Sequence, residues 1–447
     1  MRVFRFPGGD RPRRGGRRSR VRFSVCAAAL TLAVAGAGLG ALTGTAGPAA
    51  ASGTGCASPV AQPVGPFSIA SNHRTVLDSK GRPFISYGTT VPGLAQANFS
   101  PQDPQPYVQS VVDGKDIPKI DATADVWCGN TVRLQVSQYD VTPDGSTCDT
   151  TFLTDALDAE VHAGEAKGLA VVVNDTTESD PQDNSERDPT TATFTFWNCV
   201  SQHTESWPGG VEYGQDPQVI FDIFNEPRAD GCSSANGPYD MNLWRNGGTY
   251  TGCGQTDIKY QGMDAVVYHI REDGATNLLW AEGPGAARTL AGLTPAGGPS
   301  YLLTDKLNKV VYAIHHPVVG PGDPAGSATW WKEFGYLVDL PAATGTAPVV
   351  SGEWTNESAT ANGTNYCWSD APTSVPAYLS YLQKLGVGMS AYQLADDSLL
   401  TANPPAWTET TNYTAAPWNS AYCTSYKSGQ PLLGAGADIL AWFQRQD

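Results

Sequence analysis

An α/β fold, in which eight parallel strands close into a barrel, is predicted by two features of the sequence. Eight short apolar runs recur along the chain, and most are followed by loop and helix-like segments. Strands that alternate with helices form parallel sheets, and eight such units in one domain of this size favour a closed (β/α)₈ TIM barrel. No G-x-G-x-x-G motif follows the first run, which disfavours a dinucleotide-binding fold.

The first 51 residues have the composition of a secretory signal peptide. Nine arginines lie within residues 1–22, a stretch rich in Ala, Leu, Val and Gly covers 24–42, and three alanines at 49–51 offer a cleavage site. A basic segment, an apolar segment and small residues in this order are typical of export signals. We therefore expect residues 1–51 to be removed and the protein to be extracellular.

The remainder of the chain is expected to form one domain. Residues 52–66 read as a short tail and 67–447 as a single barrel domain, since neither a long linker nor a repeat interrupts them. Loss of residues 1–51 removes nine arginines and one aspartate, which takes the formal charge from −16 to −24. Such acidity disfavours nucleic acid and anionic membranes as partners. No second apolar run of membrane-spanning length follows, and we expect a monomer.

Eight cysteines lie beyond residue 51, an even number that suits disulfides in an exported protein. Proximity along the chain suggests Cys128–Cys148, Cys232–Cys253 and Cys367–Cys423, which leaves Cys56–Cys199. The long loops would thus be braced by disulfides. No C-x-x-C pair or Cys/His cluster with zinc-binding spacing is present, so we expect no metal site and no cofactor.

The eight predicted strands are Phe84–Gly88, Thr131–Leu134, Leu169–Val173, Val219–Phe224, Leu278–Ala281, Val310–Ile314, Val349–Ser351 and Val387–Leu394. Amphipathic helices are predicted between some of them, at Gln261–Arg271 and at Phe152–Lys167, the latter with Leu153, Leu157, Val161 and Ala166 on one side. The long polar loops 178–193, 230–254 and 404–429 would build the walls of a cleft at the carboxyl ends of the strands. The last loop carries aromatic residues that suit stacking on sugars: Trp407, Tyr413, Trp418 and Tyr422.

Two glutamates stand where apolar runs end. The run Val219–Phe224 leads directly into Asn225-Glu226-Pro227, and the seventh run leads into Gly352-Glu353-Trp354. Because the carboxyl ends of barrel strands carry the active sites of such folds, Glu226 and Glu353 could face one another across the barrel mouth. Cleavage of a glycosidic bond needs such a pair, one carboxyl to protonate the leaving oxygen and one to meet the developing positive charge.

These motifs resemble those of glycoside hydrolase family 5, the cellulase-type retaining (β/α)₈ hydrolases, from about residue 67 to the C-terminus. Asn-Glu-Pro at the end of the fourth strand is the most specific mark. The resemblance implies that Glu226 is the general acid/base and Glu353 the nucleophile. It also implies that Asn225 hydrogen-bonds the sugar 2-hydroxyl.

Further positions fit the resemblance. It implies that Arg133, on the second strand, contacts the nucleophile, and that His315, after the sixth, orients or protonically supports the catalytic carboxylates. A buried arginine is costly without an anionic partner, so a carboxylate beside Arg133 is expected on physical grounds too. Tyr392 stands where the family usually has a tryptophan that forms the floor of a sugar subsite. Trp354, next to Glu353, is a further candidate for substrate binding.

Two positions depart from the family pattern. The third strand ends in Asn174-Asp175-Thr176, without the usual histidine, and Pro317 replaces a tyrosine that commonly hydrogen-bonds the nucleophile. Both changes alter the subsite next to the scissile bond. They leave hydrolysis in place as the expected reaction and weaken the case for cellulose as the substrate.

The expected function is that of a secreted retaining glycosidase that acts on a polysaccharide or oligosaccharide without a cofactor. The favoured activity is that of an endoglucanase on β-1,4-glucan. Alternatives within the class are mannan, β-1,3- or β-1,6-glucan, or a diglycoside as substrate. An alternative of another class is a catalytically weak carbohydrate-binding barrel. A serine esterase is disfavoured because the sequence has no G-x-S-x-G nucleophile motif.

Overall fold

Eight parallel strands form a closed barrel in the computed structural model of the protein. Each strand pairs with its sequence neighbours, and the last closes the barrel against the first. We label them β1 to β8: Tyr87–Val91, Thr131–Ser137, Ala170–Thr176, Val219–Asp222, Leu278–Glu282, Val310–Ile314, Val349–Trp354 and Gly388–Ala391. The predicted (β/α)₈ barrel is therefore confirmed, with each predicted strand overlapping an observed one.

The structure describes residues 56, 62–96, 116–177, 188–229, 239–252, 255–294, 300–315, 327–339, 346–354, 357–359, 365–367, 371–394, 400 and 435–445. The predicted signal segment 1–51 lies outside these residues, and so does the predicted aromatic loop 404–429. The cleavage of the former and the role of the latter stay predictions.

Helices lie between the strands along the chain. The longer ones, labelled α1 to α6, are Ile117–Asp125, Asp158–Ala166, Thr191–Ser201, Met263–Glu272, Ala371–Leu385 and Gly436–Phe443. Shorter helical segments are Gly93–Gln96, Gln138–Val141, Phe152–Leu157, Tyr213–Gln215, Met241–Asn246, Pro284–Ala287, Ser327–Trp330, Trp331–Gly335 and Tyr336–Asp339. Both predicted helices are present, although Ala166 is exposed at the end of α2. Among the described residues, no helix combines the length and apolar character needed to cross a membrane.

In the part of the chain that the structure describes, three short antiparallel strand pairs lie outside the barrel. They pair Ser68–Ile69 with Val76–Leu77, Gly247–Gly252 with Gln255–Gln261, and Glu357–Ala359 with Asn365–Cys367. The first belongs to the segment that carries Phe67, whose ring stacks on Phe84 at a centroid distance of 4.6 Å. Both rings join the apolar cluster inside the barrel.

Alternation along the strands divides the core into two layers. On β3, Val172 faces the barrel interior, while Val171 and Val173 join the larger cluster between strands and helices. This period of two is the ordinary geometry of a strand. Each fully buried aliphatic side chain contributes about 1.5–3 kcal/mol, so both layers stabilise the barrel.

The interior changes from apolar to charged toward the carboxyl ends of the strands. On β4 the inward positions are Ile220 and then Asp222, and on β5 they are Trp280 and then Glu282. These acidic residues are fully buried, so they require partners inside the barrel. The barrel thus offers a rigid apolar base beneath a layer of buried charge.

The disulfides correct one part of the sequence analysis. The structure joins Cys56 to Cys128 and Cys148 to Cys199, so the predicted pairs Cys128–Cys148 and Cys56–Cys199 are wrong. Strand β2 lies between Cys128 and Cys148, and its seven residues span about 23 Å. Closeness along the chain therefore did not place these two sulfurs together. The other two predicted pairs fall on side chains outside the described residues: Cys232, Cys253, Cys367 and Cys423.

A group of three acidic side chains at the barrel exterior makes stability depend on pH. Carboxylate oxygens of Glu165, Glu205 and Asp216 lie within 4.8 Å of one another. Burial, reinforced by contact with Asp216, raises the pKa of Glu205 to about 8 and the pKa of Glu165 to about 9. The folded protein therefore holds protons that the unfolded chain releases near the ordinary Glu pKa of about 4.3.

We expect the free energy of unfolding to fall between about pH 5 and about pH 8, because the folded state binds more protons than the unfolded state across that window. Each group that retains its proton contributes a slope of up to about 1.4 kcal/mol per pH unit. Urea unfolding at several pH values measures the slope. In Glu205→Gln, which keeps an acceptor for the Val211 N–H, the slope should flatten. An unchanged slope in that variant would rule out the acidic group as its origin.

Candidate active site

The end of β4 presents the first predicted catalytic carboxylate. Beyond the strand, the backbone of Glu226 adopts a left-handed conformation with φ of 47°, unusual for a residue other than glycine. Its N–H donates to the Glu282 carboxylate at 2.5 Å, and the preceding Asn225 N–H donates to the Asp175 carbonyl at 2.8 Å. Neighbouring strands β3 and β5 thus fix this turn from both sides. The Glu226 side chain remains 28% exposed and accessible from the barrel mouth.

The end of β7 presents the second carboxylate through an irregularity in strand pairing. Ser351 pairs with Met389 and Trp354 with Ala391, so β7 has one residue more than β8 over this interval. An extra residue of this kind redirects the side chains that follow it. As a result the Glu353 carboxylate points toward Arg133 on β2, whereas Trp354 packs in the layer outside the barrel.

Strand β2 holds the Glu353 carboxylate from one side. Its Oε2 accepts hydrogen bonds from Arg133 Nη1 at 2.9 Å and from Gln135 Nε2 at 3.2 Å, both on β2. Gly352 allows the close approach of β7 to its neighbour, because a Cβ at that position would lie 3.2 Å from His315 Nε2. The Glu353 side chain is 14% exposed, so it is held firmly and still reachable.

The two glutamates meet at one place. One oxygen of Glu226, one of Glu353 and a ring nitrogen of His315 lie within 4.8 Å of one another. The structure therefore brings together residues from the ends of β4, β6 and β7 that are far apart in sequence. Two carboxyls this close can act on the same small group from two directions.

Arg133 is the centre of the buried charge layer. The side chain is fully buried and its Nε donates to Asp222 Oδ2 at 2.8 Å. Its Nη1 donates to Glu353, and its Nη2 donates to both Asn225 Oδ1 at 2.7 Å and Glu282 Oε1 at 2.9 Å. The predicted contact between Arg133 and the candidate nucleophile is present in this geometry. The guanidinium also links strands β4 and β5 to the site, since its five donors can serve several acceptors at once.

His315 lies between the two predicted catalytic carboxylates. Its backbone N–H donates to the Ala287 carbonyl at 2.7 Å. Its Nδ1 is 3.4 Å from Glu226 Oε1 and 3.7 Å from Glu353 Oε2, and its Nε2 is 3.1 Å from Glu282 Oε1. A ring with carboxylates near both nitrogens favours the doubly protonated, positively charged form.

The electrostatics of the layer agree with that protonation state. Burial alone would lower the pKa of His315, but the Glu282 and Glu353 carboxylates raise it well above its usual range. Burial would raise the pKa of Glu282, yet His315 and Arg133 lower it. Burial and the nearby Glu282 raise the pKa of Asp222 well above its ordinary value. With a proton on Asp222, the cations Arg133 and His315 are balanced by the carboxylates Glu282 and Glu353.

The protonation of Glu353 is subject to opposing influences. Burial raises the pKa of Glu353. The positive charges of His315 and Arg133 lower this pKa, and the negative charges of Glu226 and Glu282 raise it further. The net effect is a pKa above the ordinary value for glutamate. Ionised Glu353 should therefore require a higher pH than an ordinary glutamate does.

The structure separates the two remaining candidates for substrate binding. Tyr392 lies at the end of β8, where its N–H donates to the Trp354 carbonyl at 2.6 Å, and its side chain is partly exposed. Trp354 is 1% exposed and stacks on Tyr378 of α5 at a centroid distance of 5.8 Å. Trp354 is thus placed to support β7 from behind, and only Tyr392 retains surface that a sugar could contact.

Three residues that contact the site were not among the predicted ones: Gln135, Asp222 and Glu282. The signals for them were present. Glu282 ends an apolar strand just as Glu226 and Glu353 end theirs, and Asp222 is an acid inside an otherwise apolar run. Gln135 lies two residues after Arg133 and hence on the same face of β2.

The two departures from the family pattern have different outcomes. At the end of β3, Thr176 Oγ1 donates to Asn174 Oδ1 at 2.6 Å, and Asn174 Nδ2 lies 3.4 Å from the Asp222 carbonyl. Strand β3 therefore supports β4 through buried amide and hydroxyl groups at the place where a histidine was expected. Pro317 lies outside the described residues.

The negative charges of the site glutamates are stabilised by neighbouring side chains. Glu226, His315 and Glu353 are close enough to share a cation, but Arg133 and protonated His315 already supply positive charge at that place. We therefore assign no metal there.

Comparison with known proteins places the chain in a family. The sequence profile of the cellulase family, glycosyl hydrolase family 5, matches residues 87–398. No curated protein sequence gives a significant match. Among solved structures, a β-glucanase from Saccharophagus degradans in complex with cellotetraose is 15% identical, with a TM-score of 0.54 over 86% of this chain and 95% of that one.

Two further structures are similar. A thermostable, halotolerant family 5 cellulase from an Icelandic hot spring isolate is 13% identical, with a TM-score of 0.51 over 86% of this chain and 95% of that one. A β-mannanase from Streptomyces thermolilacinus with mannohexaose is 17% identical, with a TM-score of 0.44 over 79% of this chain and 87% of that one. The β-glucanase and the cellulase share the barrel fold with this chain. Because the family profile covers all eight barrel strands, the chain belongs to glycosyl hydrolase family 5 and is a glycosyl hydrolase.

Proposed function

We propose that this protein is a secreted retaining β-glycosidase that cleaves β-1,4-glucan within the chain. The observation that carries the proposal is the approach of Glu226 and Glu353, which have oxygens within 4.8 Å of each other at the barrel mouth. Retaining enzymes place their two carboxyls about 5–5.5 Å apart, while inverting enzymes leave about 6.5–9.5 Å for a water molecule. The close pair therefore supports double displacement.

In the proposed first step, ionised Glu353 attacks the anomeric carbon while the bond from that carbon to the leaving oxygen breaks. Glu226 donates its proton to the leaving oxygen, so the sugar becomes covalently bound to Glu353. Arg133 and Gln135 orient the attacking carboxylate through its Oε2. Asn225, which is 5% exposed beside Glu226, would form a hydrogen bond with the sugar 2-hydroxyl once substrate enters.

In the second step, Glu226 removes a proton from water, the water oxygen bonds to the anomeric carbon, and the bond to Glu353 breaks. His315 faces both carboxylates from β6 and stabilises the negative charge on whichever one is ionised. No step requires a cofactor. Tyr392, which is partly exposed at the end of β8, would stack on the sugar bound nearest the cleavage point.

The proposed substrate is β-1,4-glucan. The fold shared with a β-glucanase and a cellulase favours glucan, while mannan, β-1,3- or β-1,6-glucan and diglycosides remain alternatives within the class. The alternative of a catalytically weak sugar-binding barrel is disfavoured by the intact set of Arg133, Glu226, His315 and Glu353. A binding module has no need for a buried cation–carboxylate network of this cost.

A panel of soluble polysaccharides with product sizing tests this function. We expect the exported chain to release short oligosaccharides from β-1,4-glucan, and nuclear magnetic resonance of the first product should show the β-anomer before mutarotation. An initial α-anomer would contradict the retaining mechanism. Hydrolysis of mannan or β-1,3-glucan alone would contradict β-1,4-glucan as the substrate. Binding of a glycan without hydrolysis of any glycan or aryl β-glycoside would favour the binding module.

A further inference from the structure

Glu282 makes an unusual set of contacts for a residue that cannot reach the substrate. Its side chain is fully buried at the end of β5. One oxygen, Oε1, lies 2.9 Å from Arg133 Nη2 and 3.1 Å from His315 Nε2. The other, Oε2, accepts the N–H of Glu226 at 2.5 Å. Each of these contacts goes to a group of the active site.

The contact with His315 determines what that ring presents to the catalytic carboxylates. A negative charge 3.1 Å from Nε2 favours a proton on that nitrogen, while Nδ1 faces Glu226 Oε1 and Glu353 Oε2. If Nδ1 also carries a proton, it donates to the carboxylate that is ionised at each stage. Without the anion near Nε2, burial would favour the neutral imidazole more strongly, opposed by the carboxylates near Nδ1.

The contact with the Glu226 backbone has a different effect. Left-handed backbone at a glutamate carries a conformational cost, and such a residue persists only where its surroundings hold it. The charged acceptor on the Glu226 N–H stabilises this turn, since hydrogen bonds to an ionised acceptor are stronger than neutral ones. The turn sets the direction of the Glu226 side chain.

Glu282 is itself held rigidly. Its carbonyl accepts the indole N–H of Trp244 at 2.9 Å, and β5 pairs with β6 so that Glu282 lies beside Ala313. Its backbone therefore cannot follow a shift of the ring or of the turn. A fixed carboxylate that touches both an acid/base residue and the ring beside it can align the two.

We propose that Glu282 is a positioning residue, whose carboxylate holds His315 as an imidazolium between Glu226 and Glu353 and fixes the backbone turn that aims Glu226. This rests on the proposed glycosidase function of the site. Glu282 itself forms no bond to substrate. It acts through the imidazolium, which offsets the negative charge that Glu226 acquires as its proton passes to the leaving oxygen.

Glu282→Gln in the full exported chain tests the proposal, because glutamine keeps the shape and removes the charge. We expect kcat to fall about 100-fold, the upper end of the loss seen when the carboxylate partner of a metal-bound histidine is removed, while KM changes less than about threefold. The groups facing His315 would then be Glu226, Glu353, Arg133 and Asp222. Without Glu282 the imidazolium loses its proton at lower pH, so the basic limb of the activity profile should move to lower pH. Glu282→Asp should restore part of kcat.

Asp305→Asn is the matched control. Asp305 is a buried carboxylate whose two oxygens lie 2.8 and 3.0 Å from Arg271, away from the active site. This variant should lose stability yet keep the kcat and pH profile of the natural enzyme. An equal loss of kcat in both variants, or a folded Glu282→Gln enzyme with an unchanged profile, would overturn the proposal.

A titration of the His315 ring by nuclear magnetic resonance separates this proposal from the glycosidase function. The resonance is identified by its loss in His315→Asn. If Glu282→Gln lowers the pKa of His315, the electrostatic part of the proposal holds whether or not the enzyme cleaves the tested glycans. If His315 titrates identically in both proteins, Glu282 does not maintain the imidazolium, even where hydrolysis is normal.

Discussion

Glu353→Gln is expected to reduce glycoside turnover by about four to six orders of magnitude, the loss typical of removing a covalent nucleophile, while the barrel remains folded. The amide cannot form a stable bond to the anomeric carbon. It still accepts hydrogen bonds from Arg133 and Gln135 through its carbonyl oxygen, so the surrounding contacts are largely kept. Steady-state hydrolysis of an aryl β-glycoside measures the loss, and circular dichroism checks the fold. The exposed Glu272, on α4, gives the matched control Glu272→Gln.

The roles of the two glutamates can be distinguished with small anions. In Glu353→Ala, azide can enter from the side opposite the leaving group, so the expected product is an α-glycosyl azide. In Glu226→Ala, the covalent intermediate still forms from an activated substrate, and azide then releases a β-glycosyl azide. The reverse pattern of products would exchange the roles of Glu226 and Glu353. Turnover near normal in Glu353→Gln would exclude that residue as the nucleophile.

The barrel was predictable because its signal is repeated. Each strand is short and apolar, as a strand buried on both faces must be, and eight of them with helices between leave few other architectures. Glu226 was predictable for a related reason, since an apolar run that ends in Asn-Glu-Pro must deliver the carboxylate to the carboxyl edge of the sheet. These inferences depend on local sequence alone.

Other features of the site could not be predicted, because they depend on strand pairing and on contacts between residues that are far apart in the sequence. Val350 faces the barrel interior, so strict alternation along β7 would turn Glu353 outward and Trp354 inward. The extra residue between Ser351 and Trp354 reverses that expectation. Such a strand irregularity has no clear mark in Val349–Trp354. Glu282 showed the same pattern as the two predicted glutamates, yet its role depends on contacts with Arg133 and His315, which only the closed barrel reveals.

The disulfide pairing likewise depends on contacts between segments that are far apart in the sequence. Distance along the chain is a poor guide to pairing when a whole strand lies between two cysteines, as β2 does between Cys128 and Cys148. The observed bonds instead join segments that are 72 and 51 residues apart. Closing such long loops reduces the freedom of the unfolded chain more than closing short ones would.

Arg133→Met should give the largest loss of stability, about 3–5 kcal/mol of the free energy of unfolding near neutral pH, because it strips buried carboxylates of their partner. Arg133 donates to Asp222, Glu282 and Glu353, and its side chain is fully buried. Methionine fills much of the volume but leaves these groups to repel one another in a poorly solvated space. Guanidinium or urea unfolding measures the loss.

The loss should shrink at low pH, and the sign follows from proton binding. Arg133 lowers the proton affinity of Asp222, Glu282 and Glu353, so its removal raises all three of their pKa values in the folded state. The folded variant then binds protons that its unfolded chain has released, and its stability relative to the natural protein declines as pH rises above about 4.3. At about pH 3 the carboxylates are largely protonated in the unfolded chain and in the folded variant, and the two proteins should differ far less.

Two comparison variants make this result specific to the carboxylates. Arg271→Met removes another buried arginine, one that faces a single carboxylate, Asp305, so its loss should be smaller and should vary less with pH. Arg133→Lys keeps the charge but lacks the fork needed to reach three carboxylates at once, so it should recover stability more fully than turnover. If Arg133→Met and Arg271→Met lost equal stability with equal pH dependence, Arg133 would be a packing residue. Its place among the carboxylates would then not explain why the barrel tolerates so much buried charge.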